Sequence, residues 1–174
     1  MKKITASEIA ISALSCALAT LFLTVGIYSG FFLFVAYLVG SVALMLPLCQ
    51  QSWRGYAFAY VSTCLLTLLF ASFLFWDVLP FIVFFGLHPL LNELQLKWKI
   101  NRWIAFAVKA LWFDGTLYLV WRVLLAVSTT VPFLHTYIVP IILVGGTAIF
   151  FPYDYLMFKW RYVARGLVQR IGRK

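Results

Sequence analysis

Residues 9–28 read IAISALSCALATLFLTVGIY, a run without a single charged side chain. A helix of about 20 apolar residues is long enough to cross the hydrocarbon core of a bilayer. The run continues unbroken beyond Cys16, which predicts a retained first span rather than a cleaved leader. This stretch therefore indicates a membrane protein whose first transmembrane helix lies close to its N-terminus.

The composition of the whole chain agrees with this interpretation. Its 174 residues are 64% hydrophobic and only 11% charged, whereas a soluble domain is about half apolar and about a quarter charged. The 17 Phe, 9 Tyr and 7 Trp exclude a disordered chain. We therefore predict an all-α, polytopic membrane protein with a single helical bundle and no separate soluble domain.

Turn residues divide the apolar sequence into six predicted spans. Their approximate bounds are 9–28, 31–49, 55–76, 79–94, 103–127 and 137–151, with the last continuing past Pro152 to Met157. This division assigns residues 1–158 to a six-helix transmembrane bundle and residues 159–174 to a basic cytoplasmic tail.

The positions of the basic residues predict the orientation. The net charge is +9, and 12 of the 14 Lys and Arg lie in loops and tails: Lys2, Lys3, Arg54, Lys97, Lys99, Arg102, Lys159, Arg161, Arg165, Arg170, Arg173 and Lys174. Six spans place all of them on one side of the membrane, which predicts two cytoplasmic termini. We expect a multi-pass protein of a bacterial plasma membrane. Basic loops beside spans argue against a nucleic-acid partner.

The basic tail has the pattern of an amphipathic helix. One side carries Trp160, Val163, Ala164, Leu167, Val168 and Ile171, and the other carries Arg161, Arg165, Arg170 and Arg173. Such a helix is typical of a segment lying on anionic lipid. A docking surface for a cytoplasmic partner is the alternative interpretation.

Small residues recur along one side of the first span. They are Ala6, Ala10, Ala13, Ala17, Thr20 and Thr24, at alternating spacings of four and three residues. In lipid, small side chains allow two helix backbones to approach closely. The stripe therefore predicts a helix–helix contact, either inside its own bundle or with another membrane subunit.

At these residues the chain resembles a known family. The opening KITASEIAISAL at 3–14, the ending PYDYL at 152–156 before a basic tail, and the six-span layout are similar to the S component of energy-coupling factor (ECF) transporters. The resemblance implies a membrane subunit that captures a vitamin-like small molecule at the outer side. It also implies two kinds of partner, a transmembrane coupling subunit and two cytoplasmic ATPases.

The same resemblance assigns roles to parts of this sequence. It implies that Ala6, Ala10, Ala13 and Ala17 face the coupling subunit, and that the solute binds near the outer ends of the later spans. The chain has no GxxxxGK[ST] motif for binding ATP phosphates. Hydrolysis of ATP would therefore belong to the partner subunits.

The fifth predicted span carries three charged residues, Lys109, Asp114 and Arg122. Charged residues at such depth usually face a bundle interior or a watery cavity. Asp114, Tyr118 and Arg122 share one helix face, with Trp121 beside them. Arg122 lies about 30 Å along the helix from Arg102, near the outer end, where its guanidinium suits a solute carboxylate or phosphate.

Another interpretation of this charged face is structural. Asp114 would then neutralise Lys109 or Arg122 inside the bundle, and Arg122 would extend its charged end to the outer lipid headgroups.

Two histidines complete the candidate ligand-binding set of Arg122, Tyr118, Trp121, His88 and His135. His88 lies near the middle of the fourth span, where a hydrogen bond to a neighbouring span is the usual role of a buried histidine. Pro89 beside it frees a backbone carbonyl and predicts a kink. His135 is expected at the outer face. The two isolated histidines predict no metal site, and no cofactor motif or catalytic constellation is present in the sequence.

Two other function classes are compatible with a chain of this kind. One is a membrane scaffold or assembly protein, resembling the rod-shape-determining membrane proteins of similar size and span count. The other is an intramembrane enzyme, which the absence of paired catalytic residues disfavours. The proteins that copurify with the chain would discriminate the transporter subunit from the scaffold.

Overall fold

The structure is a computed structural model that describes residues 5–72, 74–122 and 132–171, with residues 132–136, 170 and 171 described by backbone only. Within these ranges the chain is all-helical and contains no strand. The α-helices are α1 (Ala6–Ser29), α2 (Leu33–Cys49), α3 (Trp53–Phe70), α4 (Phe75–Pro80), α5 (His88–Lys97), α6 (Arg102–Val120) and α7 (Pro132–Ile171), with a π-helical turn at Phe81–Phe85.

Four helical segments of the described chain are long and apolar enough to cross a membrane. They are Ala6–Ser29, Phe75–Lys97, Arg102–Val120 and Tyr137–Gln169. Helix α2 is also apolar but has only 17 residues, which corresponds to about 25 Å. The fold is therefore that of a helical membrane protein with several candidate spans.

The helix connections are short and rely on unusual backbone angles. A residue with positive φ stands in each of four connections: Gly30, Gln51, Ser72 and Lys99. Such left-handed residues end a helix and reverse the chain within a few positions. At these four places, consecutive helices are thus joined by tight turns.

The contacts divide the chain into two compact units. One consists of Met1–Glu93 together with Met157–Lys174, and the other of Leu94–Leu156. Helices α1 to α4 and the π-helical turn belong to the first unit. Helix α6 and residues 132–156 of α7 belong to the second.

Helices α1 and α2 pack closely and antiparallel through small residues. Ser15 Oγ donates a hydrogen bond of 2.7 Å to the carbonyl of Ala43, and Ala19 is fully buried. A Cβ atom on Gly26 would overlap that of Ala36, so this approach requires glycine. One side of α1 is therefore used for packing inside its own unit.

The fourth predicted span is not one regular α-helix. Between α4 and α5 the backbone forms a π-helical turn, in which the Gly86 N–H donates to the carbonyl of Phe81. This register leaves the carbonyl of Ile82 without its usual partner. Pro89 has no N–H, so the carbonyl of Phe85, four residues earlier, also loses its helical donor. The prediction that Pro89 frees a backbone carbonyl is thus confirmed.

Side-chain hydroxyls from α2 and α3 lie within hydrogen-bonding distance of the freed carbonyl oxygens. Ser41 Oγ lies 2.7 Å from the carbonyl oxygen of Phe85 and also 2.7 Å from that of Tyr37 on its own helix, so its one proton is shared between the two carbonyls. Tyr60 Oη donates to the carbonyl of Ile82 over 2.7 Å. Tyr37 and Tyr56 donate in the same way to the carbonyls of Asp77 and Gly86. In lipid an unpaired backbone carbonyl costs several kcal/mol. These hydroxyls therefore allow an irregular helix inside a membrane bundle.

The basic tail differs in one respect from its predicted form. Residues 159–171 continue α7 as regular helix, and Arg161 lies on the buried side with Met157, Ala164 and Val168. Its exposed fraction is 7%, because its guanidinium forms a two-pronged ion pair with Glu93 of α5. The predicted place of Arg161 on the polar outer side is wrong. Trp160, Val163 and Leu167 remain exposed.

We predict that Ser41→Ala lowers the free energy of unfolding by about 1–3 kcal/mol, because the Phe85 carbonyl loses the hydroxyl that lies 2.7 Å from it. In a Pro89→Ala background the same change should cost much less, since alanine at that position restores the N–H that this carbonyl lacks. Unfolding by sodium dodecyl sulfate, followed by circular dichroism, measures both values. Equal costs in the two backgrounds would contradict the assignment of Ser41 to the carbonyl freed by Pro89.

Candidate functional site

Helices α1 and α3 run parallel and border an open groove, which we call the α1–α3 groove. It has a volume of about 550 Å³. Its α1 side consists of Glu8, Ile9, Ser12, Ala13, Cys16 and Ala17, and its α3 side of Gly55, Phe58, Ala59, Ser62 and Leu66. The two helices lie close together at Gly55 and Ser12, since a Cβ atom at Gly55 would overlap the Ser12 hydroxyl. Most of the lining is apolar.

The alanine stripe of α1 borders this groove and is not packed inside the unit. Ala6, Ala10, Ala13 and Ala17 are all exposed, and the last two line the groove. At 100° per residue this stripe lies on the side of α1 opposite Ser15, Ala19 and Gly26, which pack against α2. Thr20 is buried, so the exposed stripe ends at Ala17. The predicted stripe therefore divides into an exposed part from Ala6 to Ala17 and a part inside the unit that begins at Thr20.

The second unit contains a buried ion pair between α6 and α7. Lys109 Nζ lies 2.6 Å from Asp154 Oδ1, and the exposed fractions of the two residues are 3% and 8%. The two helices are antiparallel, because Phe113 also packs against Phe150. Lys109 is therefore neutralised by Asp154, and the alternative that Asp114 neutralises it is wrong.

The sequence contains a signal for this ion pair that lies outside α6, in the last predicted span. Asp154 lies inside the run IFFPYDYLMF at 149–158, where it is the only charged residue. A lone acid in such a run requires a basic partner inside the bundle.

Asp114 lies about 1.4 helical turns beyond Lys109 and has different surroundings. Its exposed fraction is 3%, and its Oδ2 accepts a hydrogen bond of 2.9 Å from Thr147 Oγ1. Its Oδ1 is buried and has no hydrogen-bond partner among the described residues. A Cβ atom at Gly146 would overlap this oxygen, so the glycine permits the carboxylate to approach α7. One carboxylate oxygen of Asp114 therefore accepts a hydrogen bond from the described chain, and the other does not.

A second groove, which we call the α6–α7 groove, lies at Asp114. Its volume is about 310 Å³, and its lining is Leu111, Asp114, Gly115 and Tyr118 of α6 with Val139, Ile142 and Leu143 of α7. The prediction that Asp114 and Tyr118 share a helix face is confirmed. Asp114 is the only charged residue of this lining.

The other predicted ligand residues have varied positions. Trp121 is buried and packs on Tyr118 with ring centroids 5.8 Å apart. Arg122 is exposed in the π-helical turn that ends α6 and makes no ion pair within the described residues. The side chain of His135 lies outside the described part of the chain.

His88 is completely buried in the first unit. Its Nδ1 lies 3.4 Å from Asn92 Nδ2 on its own helix, and its ring packs on Phe84 at 5.4 Å between centroids. These contacts place it beside the π-helical turn at Phe81–Phe85 in the first unit, whereas Tyr118 and Trp121 belong to the second unit. The structure therefore does not bring the five predicted ligand residues into one described site.

No protein-family model, curated protein or solved structure matches the chain.

We predict that Asp154→Asn lowers the free energy of unfolding by about 3–5 kcal/mol, because it leaves the buried Lys109 ammonium uncompensated. Replacing both partners by apolar residues, Lys109→Met with Asp154→Leu, should recover most of this loss. The matched control is Asp77→Asn at a half-buried acid without an ion pair in the described chain. Denaturation by sodium dodecyl sulfate provides the measurement, and a double variant as unstable as Asp154→Asn would contradict the prediction.

Proposed function

We propose that the chain is the membrane-embedded, substrate-binding subunit of an ECF-type transporter for a vitamin-like small molecule. In this proposal it has six spans, two cytoplasmic termini and a place in a bacterial plasma membrane. Its role is to bind and hand over a solute, without a chemical reaction of its own. The main observation that supports this proposal is the exposed alanine stripe beside the α1–α3 groove.

The stripe supports the proposal because it has no use inside the described fold. The first unit already packs α1 through Ser15, Ala19 and Gly26, and the opposite side of the helix is left exposed. In a membrane such a surface faces lipid or another helix, and its small side chains allow another helix to approach closely. A coupling subunit with a complementary transmembrane helix is the partner that we assign to this surface.

The groove adds a shape to this surface. The alanines form one wall, and Phe58 and Leu66 of α3 stand beside the groove as exposed larger side chains. A partner helix entering the groove would bury apolar surface on two sides, which favours packing in lipid. The two ATPases would then bind to the coupling subunit at the cytoplasmic side.

Two further parts of the proposal concern the solute and the tail. The predicted role of Arg122 in gripping an anionic group stays a prediction. Anionic lipid at the basic tail is proposed for the outward side of α7, where Trp160 and Val163 are exposed, with Arg161 excluded by its ion pair with Glu93.

The predicted topology can be checked with single cysteines after replacement of Cys16, Cys49 and Cys64. Ser29→Cys should react with a membrane-impermeant maleimide on intact cells, because six spans place the α1–α2 connection outside. Gln51→Cys should react only after permeabilisation. Both positions are exposed, so accessibility does not distinguish them. Labelling of residue 51 on intact cells, with residue 29 protected, would overturn the orientation.

The docking surface is tested by Ala13→Trp, which places a large ring in the α1–α3 groove. We expect the variant to fold normally but to lose most of its copurifying coupling subunit. Leu14→Trp is the matched control, because Leu14 is an exposed neighbour that does not line the groove. Thermal unfolding of each purified variant separates lost docking from lost folding.

Equal recovery of the coupling subunit with both tryptophan variants would remove the docking role from the alanine stripe. Copurification of filament or wall-synthesis proteins instead of ATPases would favour the scaffold alternative.

A further inference from the structure

A narrow crevice opens between the beginning of α6 and the part of α7 that faces it, and we call it the Arg102 crevice. Its volume is about 130 Å³, and its lining belongs to the second unit: Arg102, Trp103 and Phe106 of α6 with Phe151, Asp154 and Tyr155 of α7. This volume is well below the range of about 300–1,000 Å³ for pockets that enclose a small molecule. A ligand of the crevice therefore has only part of its structure inside it.

The lining of the crevice is polar toward one end and apolar toward the other. Phe106 packs on Phe151 with ring centroids 5.9 Å apart. In each helix this phenylalanine lies about one turn nearer the middle of the predicted span than the polar lining residues, which are Arg102 in α6 and Asp154 and Tyr155 in α7. The apolar end is therefore the end nearer the bilayer centre. This arrangement suits a ligand with a polar head and an apolar chain.

The charge balance at the crevice is positive. Asp154 lines it, but Asp154 Oδ1 lies 2.6 Å from Lys109 Nζ, so its negative charge is already matched. Arg102 is exposed and makes no ion pair within the described residues. Aromatic walls alone would suit a quaternary ammonium group, whereas an unmatched guanidinium selects an anion. The polar head of the ligand is therefore anionic.

The surface around the crevice is that of a helix end at a membrane boundary. Trp103, Phe151 and Tyr155 are exposed to 75%, 61% and 59%, and tryptophan and tyrosine are enriched where membrane meets water. In the proposed topology this end of α6 lies at the cytoplasmic leaflet, which is the anionic one. Basic pockets between transmembrane helices on that side bind anionic lipid headgroups.

We propose that the Arg102 crevice binds one anionic phospholipid, with its phosphate on the Arg102 guanidinium and an acyl chain against Phe106 and Phe151. A guanidinium can donate two parallel hydrogen bonds to a phosphate. This site is separate from the basic tail, because its lining ends at Tyr155. Its place in the cytoplasmic leaflet rests on the proposed topology, whereas the binding itself does not depend on a transport function.

The direct test is native mass spectrometry of the full chain, freed of lipid in a mild detergent and titrated with dioleoylphosphatidylglycerol. We expect one lipid to bind with saturation, because the crevice has one unmatched guanidinium. Dioleoylphosphatidylcholine has the same chains and a phosphate but a cationic headgroup, and it should bind more weakly. Inorganic phosphate in excess should displace little of the bound lipid, since it cannot use the apolar end of the crevice.

Two pairs of variants assign the lipid to this crevice. Arg102→Gln should weaken binding about tenfold or more, the effect of losing a hydrogen bond to a charged group, and Arg102→Lys should recover only part of the loss. Arg54→Gln is the matched control, because Arg54 is an exposed arginine of the same predicted side that does not line the crevice. Trp103→Ala should also weaken binding, whereas Trp98→Ala, at an exposed tryptophan outside the lining, should not.

Each of the following results would overturn the site: no saturable binding of the lipid, equal affinity for the two lipids, complete displacement by phosphate, or the same affinity with Arg102→Gln as with Arg54→Gln. Thermal unfolding shows whether each variant keeps its fold, and the two tryptophan variants decide the matter if Arg102→Gln does not. Copurification of the coupling subunit and cysteine labelling are independent measurements. A failure of lipid binding alone would therefore reject this site and leave the proposed function as it stands.

Discussion

The need to satisfy every backbone polar group in lipid governs the first unit of this protein. The segment from Phe75 to Lys97 is apolar enough to span a membrane, yet a π-helical turn and Pro89 interrupt its hydrogen bonding. Hydroxyls of Ser41 and Tyr60 lie at the carbonyls of Phe85 and Ile82 that the interruption frees, and hydroxyls of Tyr37 and Tyr56 donate to the carbonyls of Asp77 and Gly86 on either side of it. The irregular segment is therefore tolerable only because α2 and α3 lie against it.

The same constraint explains which polar residues belong to the fold. Lys109 is matched by Asp154 and Arg161 by Glu93, so each of these buried cations has its acid and serves packing. The exposed alanines of α1 and the exposed Arg102 guanidinium have no such match in the described chain. We assign partner docking and lipid binding to features of this kind, which neither packing nor ion pairing uses.

Much of this organisation was predictable from local sequence. Apolar runs indicate the helices, Pro89 indicates a freed carbonyl, and i, i+4 spacing places Asp114 and Tyr118 on one face. The Lys109–Asp154 pair was not predicted, because its members are 45 positions apart and meet only through the register of α6 against α7. The burial of Arg161 was missed for a similar reason. A polar–apolar pattern assigns arginine to a surface, and only the position of Glu93 on another helix reverses that.

The central claim is that this chain works as one subunit of a transporter. Native mass spectrometry of the chain, purified from its source membrane in a mild detergent, tests that claim most directly. We predict a complex that contains one copy of the chain, one transmembrane coupling subunit and two ATPase subunits, and that loses the ATPases as a pair when the coupling subunit dissociates. A chain that is recovered intact and folded, but only alone or with cell-wall assembly proteins, would contradict the account.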